Sequence, residues 1–215
     1  MIGVREVYGK LLNELGYQEW WPAETDFEMM IGAILTQNTN WKNVEKAFVN
    51  LEGVLEPEKI QDMELEELAQ RIRPSGFFNQ KAIKIKAFVA WFEMYDFNVD
   101  EVKKQPMERL RAELLAINGI GPETADCMLA YAFDKPILVI DAYTRRVFGR
   151  VGYEVPKKYD DFRQMLEAHM PNELQVLQEF HALIVMHCKN HCLKTPICQG
   201  CPLENDCLKI GVESI

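Results

Sequence analysis

The stretch LLAINGIGPETAD runs from Leu114 to Asp126. An apolar helical pattern breaks at Asn118, the chain turns through Gly119-Ile120-Gly121, and a second helix opens at once on Pro122. Glycine permits backbone angles that a β-carbon forbids. Proline suits the first helical position, because the N–H it lacks has no helical partner there. The reading is a tight hairpin of two helices whose turn amides lie beside a helix N-terminus. Such an end favours an anion, and a DNA phosphate fits it. A Gly-x-Gly turn taken alone more often joins two helices and binds nothing.

On either side of the hairpin nearly every segment has helical periodicity. Val4, Val7, Tyr8, Leu11, Leu12 and Leu15 repeat at helical spacing, as do Val44, Ala47, Phe48 and Leu51, then Leu65, Leu68, Ala69 and Ile72. Further helices are expected over 27–37, 80–91, 107–117, 122–133, 142–151, 159–169 and 172–188. One run, KPILVID (Lys135 to Asp141), reads as strand, and it is too short and isolated to imply a sheet. The expected class is all-α, with about ten helices. A chain of 215 residues can bury a substantial core. Its formal charge of −9 argues against a generic nucleic-acid coat protein, although local charge decides whether DNA is held. The N-terminus carries charges throughout, so no signal peptide is expected, and no apolar run approaches the length needed to span a membrane. A cytoplasmic monomer is the default.

The tail CLKTPICQGCPLENDC places Cys192, Cys198, Cys201 and Cys207 at C-x5-C-x2-C-x5-C. Four thiolates so close in sequence can converge on one centre. A disulfide framework does not suit a cytoplasmic protein of this size. A [4Fe-4S] cluster suits the run, with zinc as the rival. Zinc sites usually show two close cysteine pairs, and only Cys198 and Cys201 are close. Cys127 and Cys188 stand in apolar helical positions and read as small buried hydrophobes.

Upstream, VIDAYTRRVFGRVG puts Asp141 immediately before a helix carrying Arg145, Arg146 and Arg150. From Lys135 to Arg150 four basic residues face one acid, so this segment is basic in an acidic chain. An isolated aspartate in that place is most often a plain N-cap.

Together, the hairpin INGIGPETAD, the downstream VIDAYTRR, and the four-cysteine run preceded by FHALIVMHCKNHC resemble the helix-hairpin-helix DNA glycosylases of the endonuclease III superfamily. The resemblance covers most of the chain. It implies that Asp141 serves the chemistry, that the hairpin (Gly119, Ile120, Gly121, Thr124) with Arg145 grips the DNA backbone, and that Cys192, Cys198, Cys201 and Cys207 hold a [4Fe-4S] cluster. The first cysteine gap is one residue shorter than is common in endonuclease III. Bifunctional members carry a lysine where this chain has Glu123, and a carboxylate cannot form the Schiff base that permits strand cleavage. A monofunctional enzyme is therefore expected.

WWP (Trp20, Trp21, Pro22), GAILTQNTNW (Gly32 to Trp41) and RPSGFFNQKA (Arg73 to Ala82) look like the 3-methyladenine DNA glycosylase branch. That likeness implies Trp41 stacking on an extruded alkylated purine, Trp20 or Trp21 with Pro22 as the facing wall, and Gln37 filling the gap left in the duplex. Aromatic residues are otherwise usually core. The implied architecture is two helical lobes flanking a DNA-binding cleft, one spanning 22–133, the other 1–21 plus 134–215 with the cluster loop at 192–207. The implied partner is double-stranded DNA containing a damaged base. A mismatched or oxidised base as substrate, and a non-catalytic lesion-binding iron–sulfur protein, are the alternatives.

Overall fold

The computed structural model describes residues 2–20 and 23–212. It contains α1 (Val4–Leu15), α2 (Asp26–Leu35), α3 (Trp41–Leu51), α4 (Pro57–Asp62), α5 (Leu65–Arg71), a 3-10 turn (Arg73–Ser75), α6 (Phe78–Glu93), α7 (Val99–Lys103), α8 (Met107–Ala116), α9 (Pro122–Tyr131), α10 (Ala142–Val151), α11 (Tyr159–Glu167) and α12 (Leu174–Asn190). The class is all-α, with no strand among the described residues. No described helix is long and apolar enough to cross a membrane.

The chain divides into two compact units: Met1–Trp20 with Pro136–Ile215, and Trp21–Lys135. In the first, α1 and α10 both pack on α12. Val4, Val7 and Leu11 join Val147, Phe148, Phe180 and Leu183 in one core. The run from Ile137 to Ile140 is buried, as its apolar character predicts, and it belongs to neither helix nor strand. Its alternate amides go to side chains instead: Leu138 N–H donates to Glu167 Oε1 at 2.8 Å and Ile140 N–H to Tyr159 Oη at 3.1 Å. Satisfied in this way, the segment can be buried without a partner strand.

In the second unit α2 packs on α6 and α9, and α8 packs on α9. Phe27, Phe88, Trp91, Phe92 and Phe133 form a chain of ring contacts at its centre. Arg111 on α8 reaches Asp126 on α9 with Nε to Oδ1 at 2.7 Å and Nη2 to Oδ2 at 3.3 Å. This paired contact to a fully buried carboxylate ties the two hairpin helices together.

Candidate functional site

The hairpin lies wholly in the second unit. Ile120 N–H donates to Ile117 O at 3.1 Å, which closes the turn, and the Ile120 side chain is buried beneath it. That amide is thereby spent inside the turn. Gly119 has φ +86°, where a side chain is strained. Gly121 departs from expectation: its φ of −91° is open to any residue, and a β-carbon there would meet nothing within 4 Å. What glycine leaves at 121 is open space at the head of α9. Pro122 occupies the first turn of that helix, followed by exposed Glu123. An acid there complements the helix dipole.

Gln37 follows the C-cap of α2 and turns toward the hairpin. Its Nε2 donates to Thr124 Oγ1 at 2.9 Å and to Gly119 O at 3.2 Å. Lys84 Nζ on α6 donates to Gln37 Oε1 at 2.6 Å. Trp41 opens α3, half-buried, with its ring 6.2 Å from that of Phe48 at 65°. Gly32 makes room for the pair, since a β-carbon there would lie 3.3 Å from Phe48 and 3.6 Å from Trp41. Gln37, Trp41, Gly119, Ile120, Gly121, Glu123 and Thr124 are thus all features of one unit.

The sequence motif RPSGFFNQKA now acquires individual roles. Phe77 is 68% exposed and sits at φ +46°, an unusual pairing of an aromatic residue, a left-handed backbone and solvent. Behind it, Lys81 is buried and donates to Leu35 O at 2.7 Å and Ser75 O at 2.6 Å. Burial, aided by Lys84, lowers the Lys81 ammonium to about 8. These bonds hold the end of α2 to the turn that presents Phe77.

The first unit carries Asp141, Trp20, Arg145 and the cysteines. Asp141 is the N-cap of α10, accepting at Oδ1 from Thr144 N–H (2.7 Å) and Thr144 Oγ1–H (2.8 Å). Its Oδ2 lies 3.5 Å from His181 Nε2, and the carboxylate side chain keeps 13% exposure. Burial alone would raise this carboxyl, but the hydrogen bond and charge of His181 and the two Thr144 bonds hold it below its ordinary value. Capping and anionic character coexist: one oxygen is committed to the helix, the other faces an imidazole.

His181 escaped the sequence reading, being embedded in the apolar run FHALIVMH. Trp20 packs against it at 5.7 Å, with Lys189 Nζ 5.8 Å from the indole centroid. Buried Glu179 on the same helix accepts from Gln18 N–H and Glu19 N–H, fixing the segment that delivers Trp20. Trp21 and Pro22 lie outside the described residues. Arg145 directs its guanidinium inward, donating to Pro156 O at 2.7 Å and lying 5.3 Å from the Phe162 ring.

None of the six cysteines is in a disulfide. Cys192, Cys198, Cys201 and Cys207 line one pocket of about 390 Å³, part of it open to solvent, with Arg150 and His187. Among the described residues no three His, Cys, Asp or Glu side chains close on a point as ligands of a single metal ion would. Arg150 Nη1 donates to Cys192 Sγ at 3.3 Å and to Leu193 O at 2.6 Å. His187 Nε2 is 4.0 Å from Cys201 Sγ, and its buried Nδ1 has no partner. A hydrogen bond from Cys188, opposed by burial but aided by His187 and Arg150, pulls the Cys192 thiol below its ordinary value. Burial, with repulsion from the other thiolates, pushes Cys201 up to about 11 and raises Cys207 as well. Four thiolates crowded here need a cationic centre to be stable together, so the donor set fits a thiolate-held metal group.

A tight two-helix hairpin and a capped aspartate, held below its ordinary pKa and heading the next helix, define a class. The chain belongs to the HhH-GPD superfamily of base excision DNA repair proteins, whose model matches residues 31–171. Within it, the chain is a DNA repair glycosylase. It is 46% identical over 210 residues to a candidate DNA repair glycosylase of Methanocaldococcus jannaschii, MJ1434, covering 95% of this chain and 96% of that one. It is 30% identical to endonuclease III of Sulfolobus acidocaldarius over 84% of this chain and 81% of the relative. Among solved structures, the H. pylori 3-methyladenine DNA glycosylase MagIII bound to 1,N6-ethenoadenine matches with a TM-score of 0.76 at 28% identity, over 87% of this chain and 98% of that one. An endonuclease III–DNA complex matches with a TM-score of 0.82 over 97% of both chains at 22% identity, a likeness of fold.

Proposed function

We propose that this glycosylase is monofunctional and excises an alkylated purine such as 3-methyladenine from double-stranded DNA, leaving an abasic site. The observation that carries the reading is Asp141, anchored by Thr144 and kept ionised. A 3-alkylated purine is cationic, so its glycosidic bond is already weakened. The remaining tasks are extracting the nucleotide and stabilising positive charge that develops at the sugar. A fixed carboxylate does the second, and it can orient a water for attack. His181 and Thr144 hold that carboxylate still.

Electron-rich indole faces attract a cationic base. Trp41 is assigned to stacking on it and Trp20 to the facing wall, with Trp21 and Pro22 beside it in sequence. The relative crystallised with 1,N6-ethenoadenine supports the choice of a modified adenine. Gln37 is assigned to the gap left by the extruded nucleotide, and exposed Phe77 to a second wedge between bases. The hairpin around Gly119 and Gly121 is assigned to phosphate, with Arg145 secondary because its guanidinium already serves the protein. Cys192, Cys198, Cys201 and Cys207 would hold a [4Fe-4S] cluster, which when bound supplies a structural, DNA-positioning centre. The endonuclease III relatives and the four-thiol pocket support it. Absorbance at about 400 nm with matching iron and sulfide content would identify the cluster; zinc alone would overturn it.

Base release from methylated duplex DNA tests the reading. Free 3-methyladenine is expected, with release falling at least about 100-fold in Asp141→Asn. Release of only thymine or uracil from mismatches would overturn the substrate. Glu123 carries a carboxylate where an amine nucleophile would be needed, so borohydride is expected to trap no adduct; robust trapping would overturn the monofunctional assignment.

A further inference from the structure

We infer that Lys84 is a positioning residue that latches the Gln37 amide to the hairpin turn, so that gap-filling side chain and phosphate-binding turn work as one part. The inference rests on the proposed roles of Gln37 and the hairpin. The latch itself lies within one unit and can be measured without any excision.

Hydrogen-bond chemistry fixes the amide in one orientation. An ammonium only donates, so Lys84 Nζ at 2.6 Å must face the Gln37 carbonyl oxygen. A backbone carbonyl only accepts, so Gly119 O at 3.2 Å must face the amide nitrogen. The Thr124 hydroxyl could meet either end, and here it accepts from Nε2 at 2.9 Å. Flipping the amide would lose two bonds, one of them charge-assisted. Lys84 is the group that enforces the choice.

The lysine stem has its own berth. A β-carbon at Gly119 would lie 2.5 Å from Lys84 Cε, 2.6 Å from Cγ and 2.7 Å from Cδ. Gly119 therefore serves twice, once for its positive φ and once for the surface it leaves bare. One turn earlier on α6, Lys81 binds Leu35 O and Ser75 O, which sets the helix against the end of α2. Lys81 thereby fixes the backbone from which Gln37 departs, and Lys84 fixes the side chain. With the latch closed both Gln37 N–H groups are occupied. Only a lone pair on Oε1 remains to meet an orphaned base, through a donor on that base.

Two measurements test this. Lys84→Met keeps the stem against Gly119 and removes the charged donor. In the free protein, side-chain amide exchange of Gln37, followed by nitrogen-15 NMR, is expected to quicken about tenfold in Lys84→Met. Affinity for a duplex carrying a tetrahydrofuran abasic analogue, which undergoes no excision, is then measured for Lys84→Met, Gln37→Ala and the double variant. Each single variant is expected to weaken binding about tenfold, and the double variant to weaken it no further. Unchanged amide exchange, or losses that multiply in the double variant, would overturn the latch. Faster exchange with no binding loss in Gln37→Ala would overturn its gap-filling role while leaving the pairing with Lys84 standing. Failure to release alkylated purines would overturn the substrate alone.

Discussion

Asp141 does two jobs with two oxygens. Oδ1 caps α10 through Thr144, and Oδ2 faces His181. Asparagine caps about as well as aspartate, so Asp141→Asn is expected to change stability at neutral pH by less than about 1 kcal/mol while abolishing most excision. The pH dependence follows from the direction of the shift. The folded carboxyl lies below its unfolded value, so on acidification the unfolded chain takes up the proton first. The stabilisation is fully present above the unfolded value of about 3.9 and is lost as pH falls through the depressed folded one. Unfolding titrations of the unaltered protein should show a steeper acid decline than those of Asp141→Asn. The sequence exposed Asp141 as a helix head, but not His181, which becomes legible only when α12 lies beside α10. Lys81 and Lys84 were equally opaque: their partners Leu35 and Gln37 are more than forty positions away, and a lysine on a helix reads as solvated.

The hairpin offers a contrast between its two glycines. Gly119→Ala meets a left-handed backbone and the Lys84 stem, and is expected to destabilise by about 1–3 kcal/mol. Gly121→Ala faces open space on ordinary backbone, so the melting temperature should barely move while affinity for duplex DNA falls. Equal melting shifts for the two variants would refute this division. Most helices were legible because each carries an apolar stripe and marked ends. The expected 142–151 helix is found as Ala142–Val151, between the Asp141 cap and Gly152. The short helices α4 and α7 were not legible, since six and five residues are too few to show a repeat. The strand-like run forms no ladder, as its shortness and isolation imply, and two of its amides go to Glu167 and Tyr159.

For the whole molecule, charge sets how DNA is approached. A formal charge of −9 repels the duplex at long range, and salt screens that repulsion. Backbone amides and a helix N-terminus, the phosphate grip proposed above, displace fewer counterions than a row of lysines would. The logarithm of affinity is therefore expected to fall with the logarithm of salt at a slope of magnitude about 3 or less, against about 10 for a strongly basic binder. A titration of binding against ionic strength checks this, and a steep slope would mean that side-chain cations dominate.

One unit is stitched from both ends of the chain, the other from an unbroken middle. During synthesis α1 emerges well before α12, which covers Val4, Val7 and Leu11 and follows about 160 residues later. At ribosomal speeds that interval is about 10 to 30 seconds. The middle segment has all its partners by then and can mature alone, while the opening helix waits with its greasy side unclaimed. Birth order thus makes the hairpin-bearing half the earlier to ripen, and leaves the aspartate's half to be completed last.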